Sequence, residues 1–231
     1  MEKLTNKVLQ ILLVENDEIL ASKLSSYLTY SGFEPTLTTN GYEAIFRLKN
    51  RTFDLIITDI QLPYLDGLTL TKEIRQLDRG VPIIVISDLS NMNQIKECFH
   101  AGVDDFIAKP FSRDEFIYRV QAIYRRCNSF FNRDAQMRIS SLTIDTLTHS
   151  LNHEGKKMHL TMRELELLLL LVEYRNETLT RNFALERIWH HNSRYTSRIL
   201  DVYIARLRKI LKVDPKIRVK NVHGVGYQLC V

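Results

Sequence analysis

The sequence predicts a doubly wound α/β unit on a five-stranded parallel sheet, followed by a smaller unit of three helices closed by a terminal β-hairpin. Three observations predict it. Short apolar runs rich in β-branched residues alternate five times with helical segments over residues 1–126. That alternation stops at a polar, basic stretch, after which three helical patterns lead into two strand-like runs joined by His223-Gly224. Charge divides at the same place: residues 1–126 carry 15 Lys/Arg against 17 Asp/Glu, and residues 127–231 carry 17 against 10. A near-neutral half before a basic half places any polyanionic partner on the second half.

In chain order, Val8–Val14, Glu34–Thr38, Asp54–Thr58, Val81–Ile86 and Asp105–Ala108 read as strands. Most are apolar throughout, as strands covered on both faces must be. Ile19–Tyr30, Tyr42–Lys49, Thr69–Leu77, Asn91–Ala101 and Arg113–Arg126 read as the intervening helices. Residues 127–138 read as a linker between domains 1–126 and 139–231. Strand-like pieces follow at Ile139–Leu142, Leu147–Asn152 and Lys156–Leu160, with a turn over residues 153–156. Thr161 can cap a helix over Met162–Tyr174, and Glu164 completes a capping box three residues on. Leu160 and Leu165 are spaced as a hydrophobic staple. Further helices span Arg181–His190 and Ser197–Lys212, and the chain ends in strands Arg218–Val222 and Gly226–Val231. Three helices and a terminal hairpin make a winged helix.

Composition excludes several classes. Cys98, Cys127 and Cys230 form no C-x-x-C pair and no zinc spacing, which argues against a disulfide or metal framework. The longest apolar run, Leu167–Val172, is far too short to span a bilayer. The first residues lack the apolar stretch of a signal peptide, so the expected location is the cytoplasm, with no membrane partner.

The chemistry of the first half lies at its strand ends, where doubly wound sheets bind ligands. Glu15-Asn16-Asp17 follow the first strand, Asp59 the third, Ser87 the fourth and Lys109 the fifth. Carboxylates gathered around a hydroxyl and a lysine fit Mg²⁺-assisted phosphoryl transfer, with Asp59 as nucleophile and Lys109 clamping a phosphate oxygen. Taken singly, a strand-end Asp is ordinarily a cap, Lys109-Pro110 a strand end, and Phe106 a core residue. Their joint order favours the functional reading for Asp59 and Lys109, while Phe106 reads equally as a switch and as core. The segments LLVEND, IITDIQLP, VISDLS and AGVDDFIAKPF resemble the receiver domain of two-component response regulators over residues 8 to about 124. That resemblance implies a flavodoxin-like fold with Asp59 as phosphoacceptor and Glu15, Asn16 and Asp59 at the Mg²⁺ site. Ser87 and Lys109 would bind the phosphoryl group, and Ser87 and Phe106 would act as switch residues.

Two departures from that family stand out. Asn16 occupies a position that ordinarily carries a second acid, which predicts weakened Mg²⁺ binding and slower phosphorylation; Asp17 is a candidate to compensate, constrained by the helix that starts just after it. On the face through which related regulators dimerise, Asp104, Asp105, Glu115 and Arg119 fit the charged pattern, but Ile95 and Ala101 fall where charged partners are common.

In the basic half, TSRILDVYIARLRKILK places Leu200, Ile204, Leu207 and Leu211 on one stripe. Arg198, Val202, Ala205 and Lys209 lie opposite, with Arg206 beside them and Arg208 on a flank. Such a helix is often only a solvated surface helix; its position between a capped helix and a terminal hairpin favours the major groove. HLTMRELELLLLLVEY, SRILDVYIARLRKIL and VKNVHGVGYQL resemble the OmpR/PhoB-type winged-helix effector domain over residues 139–231. By that resemblance Ser197–Lys212 is the recognition helix and Lys220–Tyr227 the wing. Val202 and Arg206 would then read bases, Arg198 and Arg208 would touch phosphate, Lys209 would add charge, and His223 would sit at the wing tip. Asp201 is expected to orient a neighbouring arginine. Residues 189–196 correspond to a loop that touches RNA polymerase.

The expected protein is a transcription regulator rather than an enzyme, with double-stranded DNA, a sensor histidine kinase, RNA polymerase and a second copy of itself as partners. A constitutive dimer that ignores phosphate is the nearest rival. A Mg²⁺-dependent phosphatase is disfavoured because Gln61 stands where such enzymes carry a second acid. A scaffold binding membrane or RNA is the third.

Overall fold

The computed structural model describes residues 8–77, 80–88, 91–130, 136–189 and 194–231. The chain divides into two compact units, residues 1–124 and 125–231. Ten elements alternate in the first: β1 (Gln10–Val14), α1 (Glu18–Tyr30), β2 (Glu34–Thr38), α2 (Gly41–Asn50), β3 (Leu55–Asp59), α3 (Gly67–Leu77), β4 (Ile83–Ser87), α4 (Met92–Ala101), β5 (Asp105–Ala108) and α5 (Arg113–Phe130). The strands pair in parallel in the order β2-β1-β3-β4-β5. Every residue of β3 and β4 is buried, whereas the edge strand β2 is mostly accessible. Continuous apolar runs therefore mark the middle of the sheet, where both faces are covered by helices.

Register aligns the strand tips. Val14 lies opposite Thr58, Asp59 opposite Ile86, and Ser87 opposite Ala108. The residues that end or follow β1, β3, β4 and β5 consequently meet along one edge. Two local devices hold that edge. Asp17 caps α1, its side chain accepting from the N–H groups of Ile19 (2.9 Å) and Leu20 (3.0 Å). Gly67 opens α3 against the backbone of Asp59, where a Cβ would lie 2.0 Å from the Asp59 carbonyl oxygen.

The second unit comprises β6 (Gln136–Ile139), β7 (Leu142–Asp145), β8 (Ser150–His153), β9 (Lys156–His159), α6 (Met162–Glu173), β10 (Thr178–Thr180), α7 (Arg181–Trp189), α8 (Arg194–Leu211), β11 (Arg218–Val222) and β12 (Gly226–Cys230). The first four strands form an antiparallel sheet in sequence order, and β10-β12-β11 form a second sheet beside the three packed helices. Thr161 and Glu164 make the expected capping box, and Leu160 and Leu165 are both fully buried. No helix among the described residues is long and apolar enough to cross a membrane.

Several boundaries differ from the sequence reading. The expected linker at 127–138 begins as the last turn of α5 and ends as β6; residues 131–135 lie outside the described residues. The strand expected at 139–142 is instead the β6–β7 turn, where Ser140 adopts φ +52°. β10 was not anticipated, because three residues are too few to show a period. Residues 190–193, half of the loop expected to meet RNA polymerase, also lie outside the described residues, and residues 194–196 already belong to α8.

Candidate functional site

The strand tips bring together the residues that their order singled out. Lys109 follows β5, and its Nζ lies 2.5 Å from Asp59 Oδ2 and 3.2 Å from Glu15 Oε2. Glu15 and Asp59 are 2% and 6% exposed, and Ser87 is fully buried. The other carboxylate oxygens accept backbone hydrogen bonds, Glu15 Oε1 from Asp17 N (3.1 Å) and Asp59 Oδ1 from Gln61 N (2.9 Å). Burial alone would lower the Lys109 ammonium, but the hydrogen bond and charge of Asp59, joined by Glu15, outweigh it and hold the lysine above its ordinary value. One cation thus serves two buried carboxylates, which leaves the cleft with a surplus negative charge.

Among the described residues, no group of three or more His, Cys, Asp and Glu is placed to hold a metal. The donors at the cleft are nevertheless all oxygen: two carboxylates and the amide of Asn16, which is exposed at the β1 tip. That set fits Mg²⁺, which commonly keeps several waters and takes only one or two carboxylates. Asp17 cannot readily supply the missing acid, because its side chain is committed to the first turn of α1. Phe106 is partly buried in β5, opposite Val85.

The expected dimer residues separate into two groups. Asp105, Glu115 and Arg119 form one network, with Arg119 3.3 Å from Asp105 and 3.1 Å from Glu115. Asp104 does not belong with them. It is fully buried, 2.7 Å from Arg75 Nη2, and also accepts from Ile83 N (2.9 Å). Arg75 itself holds the α4 C-cap through the Gly102 carbonyl (2.9 and 2.7 Å). Asp104 therefore ties α3 to β4 and β5 and is not available to a partner. Two adjacent aspartates at a strand start point to opposite faces, and charge alone does not tell which face is outward.

The second unit corrects the helix-face assignment. Leu200, Ile204, Leu207 and Leu211 are buried as expected, and Arg198, Ala205 and Lys209 are exposed. Val202 is not on the open face: at 6% exposure it joins Ile199 and Tyr203 in a buried stripe wider than four leucine-type residues. Arg206 Nε lies 3.1 Å from Glu164 Oε1, a charge contact off hydrogen-bond alignment, while Glu164 Oε2 accepts from Thr161 N (2.7 Å). Arg208 Nε donates to the Val219 carbonyl (2.9 Å), and its Nη2 donates to Asn221 Oδ1 (2.6 Å). Asp201 does hold a neighbouring arginine, Arg181, in a bidentate pair at 2.7 and 3.1 Å. His223 is exposed in the β11–β12 turn, where Gly224 adopts φ +70°. Gly226 is required for another reason: its Cβ would lie 2.0 Å from the Leu179 carbonyl of β10. The ties made by Arg75, Arg181, Arg206 and Arg208 were not read from the sequence, because partners 11 to 46 residues away leave no local pattern.

Comparison with known proteins agrees with both units. Residues 11–121 match the family described as response regulator receiver domain, and residues 155–229 match transcriptional regulatory protein, C terminal. The transcriptional regulatory protein RprY of Bacteroides fragilis is 41% identical over 224 residues, covering 96% of this chain and 94% of that protein. The response regulator ArlR of Staphylococcus aureus is 34% identical, covering 94% of this chain and 98% of that protein. Among solved structures, a cysteine mutant of RitR superposes with a TM-score of 0.79 at 25% identity, covering 96% and 98%. DrrB of Thermotoga maritima, described as an OmpR/PhoB homologue, gives 0.52 at 26%, covering 97% and 100%. A receiver domain followed by a C-terminal transcriptional regulatory domain is the shared plan, and the chain belongs to the OmpR/PhoB-type response regulators, DNA-binding transcription regulators of two-component systems.

Proposed function

We propose that the regulator is switched by phosphorylation of Asp59. A sensor histidine kinase, or a small acyl phosphate, presents the phosphoryl group at the strand tips. An Asp59 carboxylate oxygen forms the new bond to phosphorus as the bond to the leaving imidazole or acetate breaks. Lys109 leaves its position between the two carboxylates and pairs with a phosphoryl oxygen, and the Ser87 hydroxyl takes another. Glu15, Asp59 and Asn16 would hold Mg²⁺, which offsets the negative charge that collects during transfer. Phe106 and the Asp105–Glu115–Arg119 face pass the change to a second copy, and paired α8 helices then engage tandem DNA half-sites. Arg198 and Lys209 meet phosphate, Arg206 reaches the groove from its Glu164 support, and His223 approaches the neighbouring minor groove. Contact with RNA polymerase near residues 189–196 completes the reading, as does a cytoplasmic site of action.

One observation carries the switch: Lys109 stands between Asp59 and Glu15 where four strand tips converge. Phosphate-affinity electrophoresis after acetyl phosphate and Mg²⁺ treatment tests it. A retarded band is expected for the wild type and none for Asp59→Ala; a band that survives the substitution sinks the assignment. A second reading, a constitutive dimer of the same family, draws on Asn16 and on the commitment of Asp17 to its helix. That reading expects no retarded band for the wild type at millimolar Mg²⁺.

A further inference from the structure

α8 and the β11–β12 hairpin are tied together at two places, neither of which is apolar. At the first, Arg181 opens α7 and forms its bidentate pair with Asp201 of α8, at 2.7 and 3.1 Å. Its guanidinium also lies over the Tyr227 ring of β12, 5.4 Å from the centroid. The Tyr227 hydroxyl donates to Asp201 and accepts from Arg181. Burial and the Asp201 carboxylate push Tyr227 up to about 12, so the phenol keeps its proton at any physiological pH. The Arg181 N–H closes the junction on the Val225 carbonyl in the hairpin turn (3.1 Å). At the second place, Arg208 of α8 grips β11 through Val219 and Asn221. Residues 201 and 208 are two helical turns apart, about 10 Å along the axis. Two polar ties at that separation fix both the position and the tilt of the hairpin against the helix.

Asp201 is also the one acid in an otherwise cationic or neutral series on the open side of α8, where a bare carboxylate would repel a phosphate backbone. Its fork with Arg181 cancels that charge. We propose that Asp201, Arg181 and Arg208 are positioning residues that hold the wing in register with α8, so that helix and wing tip meet one duplex together. The proposal rests on the reading of α8 and the hairpin as the DNA-binding surface, and it assigns to Arg208 a structural duty in place of a phosphate contact. The consequence for specificity is that sequence preference under the wing depends on side chains that do not touch it.

The test uses the full-length chain and duplexes selected from a random pool by the wild type. Each selected site is prepared in two lengths, one ending at the major-groove element and one extending through the adjacent minor groove. Because removing a carboxylate strengthens binding to any DNA, the affinity ratio between long and short duplexes is the readout. The wild type is expected to gain roughly tenfold from the added groove, the scale of one or two base-pair contacts. Asp201→Asn and Arg208→Gln are expected to bring that ratio towards one while short-duplex binding persists. Tyr227→Phe keeps the ring beneath the guanidinium and loses only the hydroxyl, so it should lower the ratio part-way. The Asp201→Asn/Arg181→Gln double variant should be no worse than either single one, as befits a shared tie. Variants that retain the wild-type ratio, or that lose both duplexes equally, overturn the proposal. A wild type that gains nothing from the longer duplex overturns the underlying wing reading instead, and the clamp's role with it.

Discussion

Lys109 in the first unit and Arg206 in the second are alike in form. Each is a partly exposed cation held by a buried carboxylate: Glu15 and Asp59 for the lysine, Glu164 for the arginine. They differ in balance. Lys109 faces two acids and leaves one negative charge over, which a divalent cation can address. Arg206 lies against Glu164, whose second oxygen is already used to cap α6. Surplus charge marks a place that can still take up a cation, whereas the Glu164 contact steadies Arg206 from the first turn of α6.

The largest effect should come from removing the cation on the surplus side. Lys109→Ala leaves two buried carboxylates facing one another, and breaking such a cluster costs about 3–5 kcal/mol. Denaturant unfolding of the full chain in chelator should show that loss in the receiver transition, and millimolar Mg²⁺ should recover part of it. Arg206→Ala should cost about 1.5–3 kcal/mol in the other unit, with no recovery by Mg²⁺. If chelator and Mg²⁺ give the same stability for Lys109→Ala, surplus charge is not what the cleft offers.

The same contrast explains what was legible in the sequence. Glu15, Asp59, Ser87 and Lys109 were found because strand ends in a doubly wound sheet are brought together by topology, and topology is written in the alternation of apolar runs. The leucine-type stripe of α8 was found because a period of 3.6 is local. Val202 and Asp104 were misplaced for a common reason: which side of an element faces inward depends on what packs there, and residue type alone left two faces open. Glu164 was read correctly as a cap, but its second oxygen serves α8, 42 residues on, and nothing near Glu164 records that.

A carboxylate held by neutral donors gives the next effect. Asp214 follows α8 and is nearly buried, accepting from the Ser141 hydroxyl and N–H (3.1 Å) in the β6–β7 turn and from Lys216 N (2.9 Å). The Ser141 hydroxyl above all, against the opposing effect of burial, holds this carboxyl well below the ordinary 3.8. A depressed folded value means the stabilisation is complete above the unfolded value and disappears as pH falls through the folded one. Asp214→Asn should therefore cost about 1–2 kcal/mol at neutral pH. The gap to wild type should stay level down to about pH 5 and narrow only below 3.8. A gap that narrows near pH 6 would assign the tie to a histidine instead.

Restoring an acid to the cleft should produce a smaller change with a distinct sign. Asn16→Asp adds a charge at the exposed β1 tip, beside a pair that already exceeds its cation. Near the surface such a charge strengthens binding of a divalent ion by about tenfold, or about 1.4 kcal/mol. Calorimetric Mg²⁺ titration should show the tighter binding, and phosphorylation by acetyl phosphate should half-saturate at correspondingly lower Mg²⁺. Equal Mg²⁺ affinity in the two proteins would mean that Asn16 already coordinates as well as an aspartate.

The smallest effect separates free cations from tied ones on α8 itself. A lysine or arginine that meets a phosphate releases a condensed counterion, so each contact adds about 0.9 to the slope of log affinity against log salt. Arg198 and Lys209 are exposed, and Arg198→Ala and Lys209→Ala should each lower the slope by about that amount on every duplex tested. Arg208 already donates to the Val219 carbonyl and to Asn221, so Arg208→Gln should alter duplex-length dependence while leaving the slope on short duplexes nearly unchanged. A slope loss on short duplexes as large for Arg208→Gln as for Lys209→Ala would erase the distinction, because it would show that a side chain spent on the wing still reaches the backbone.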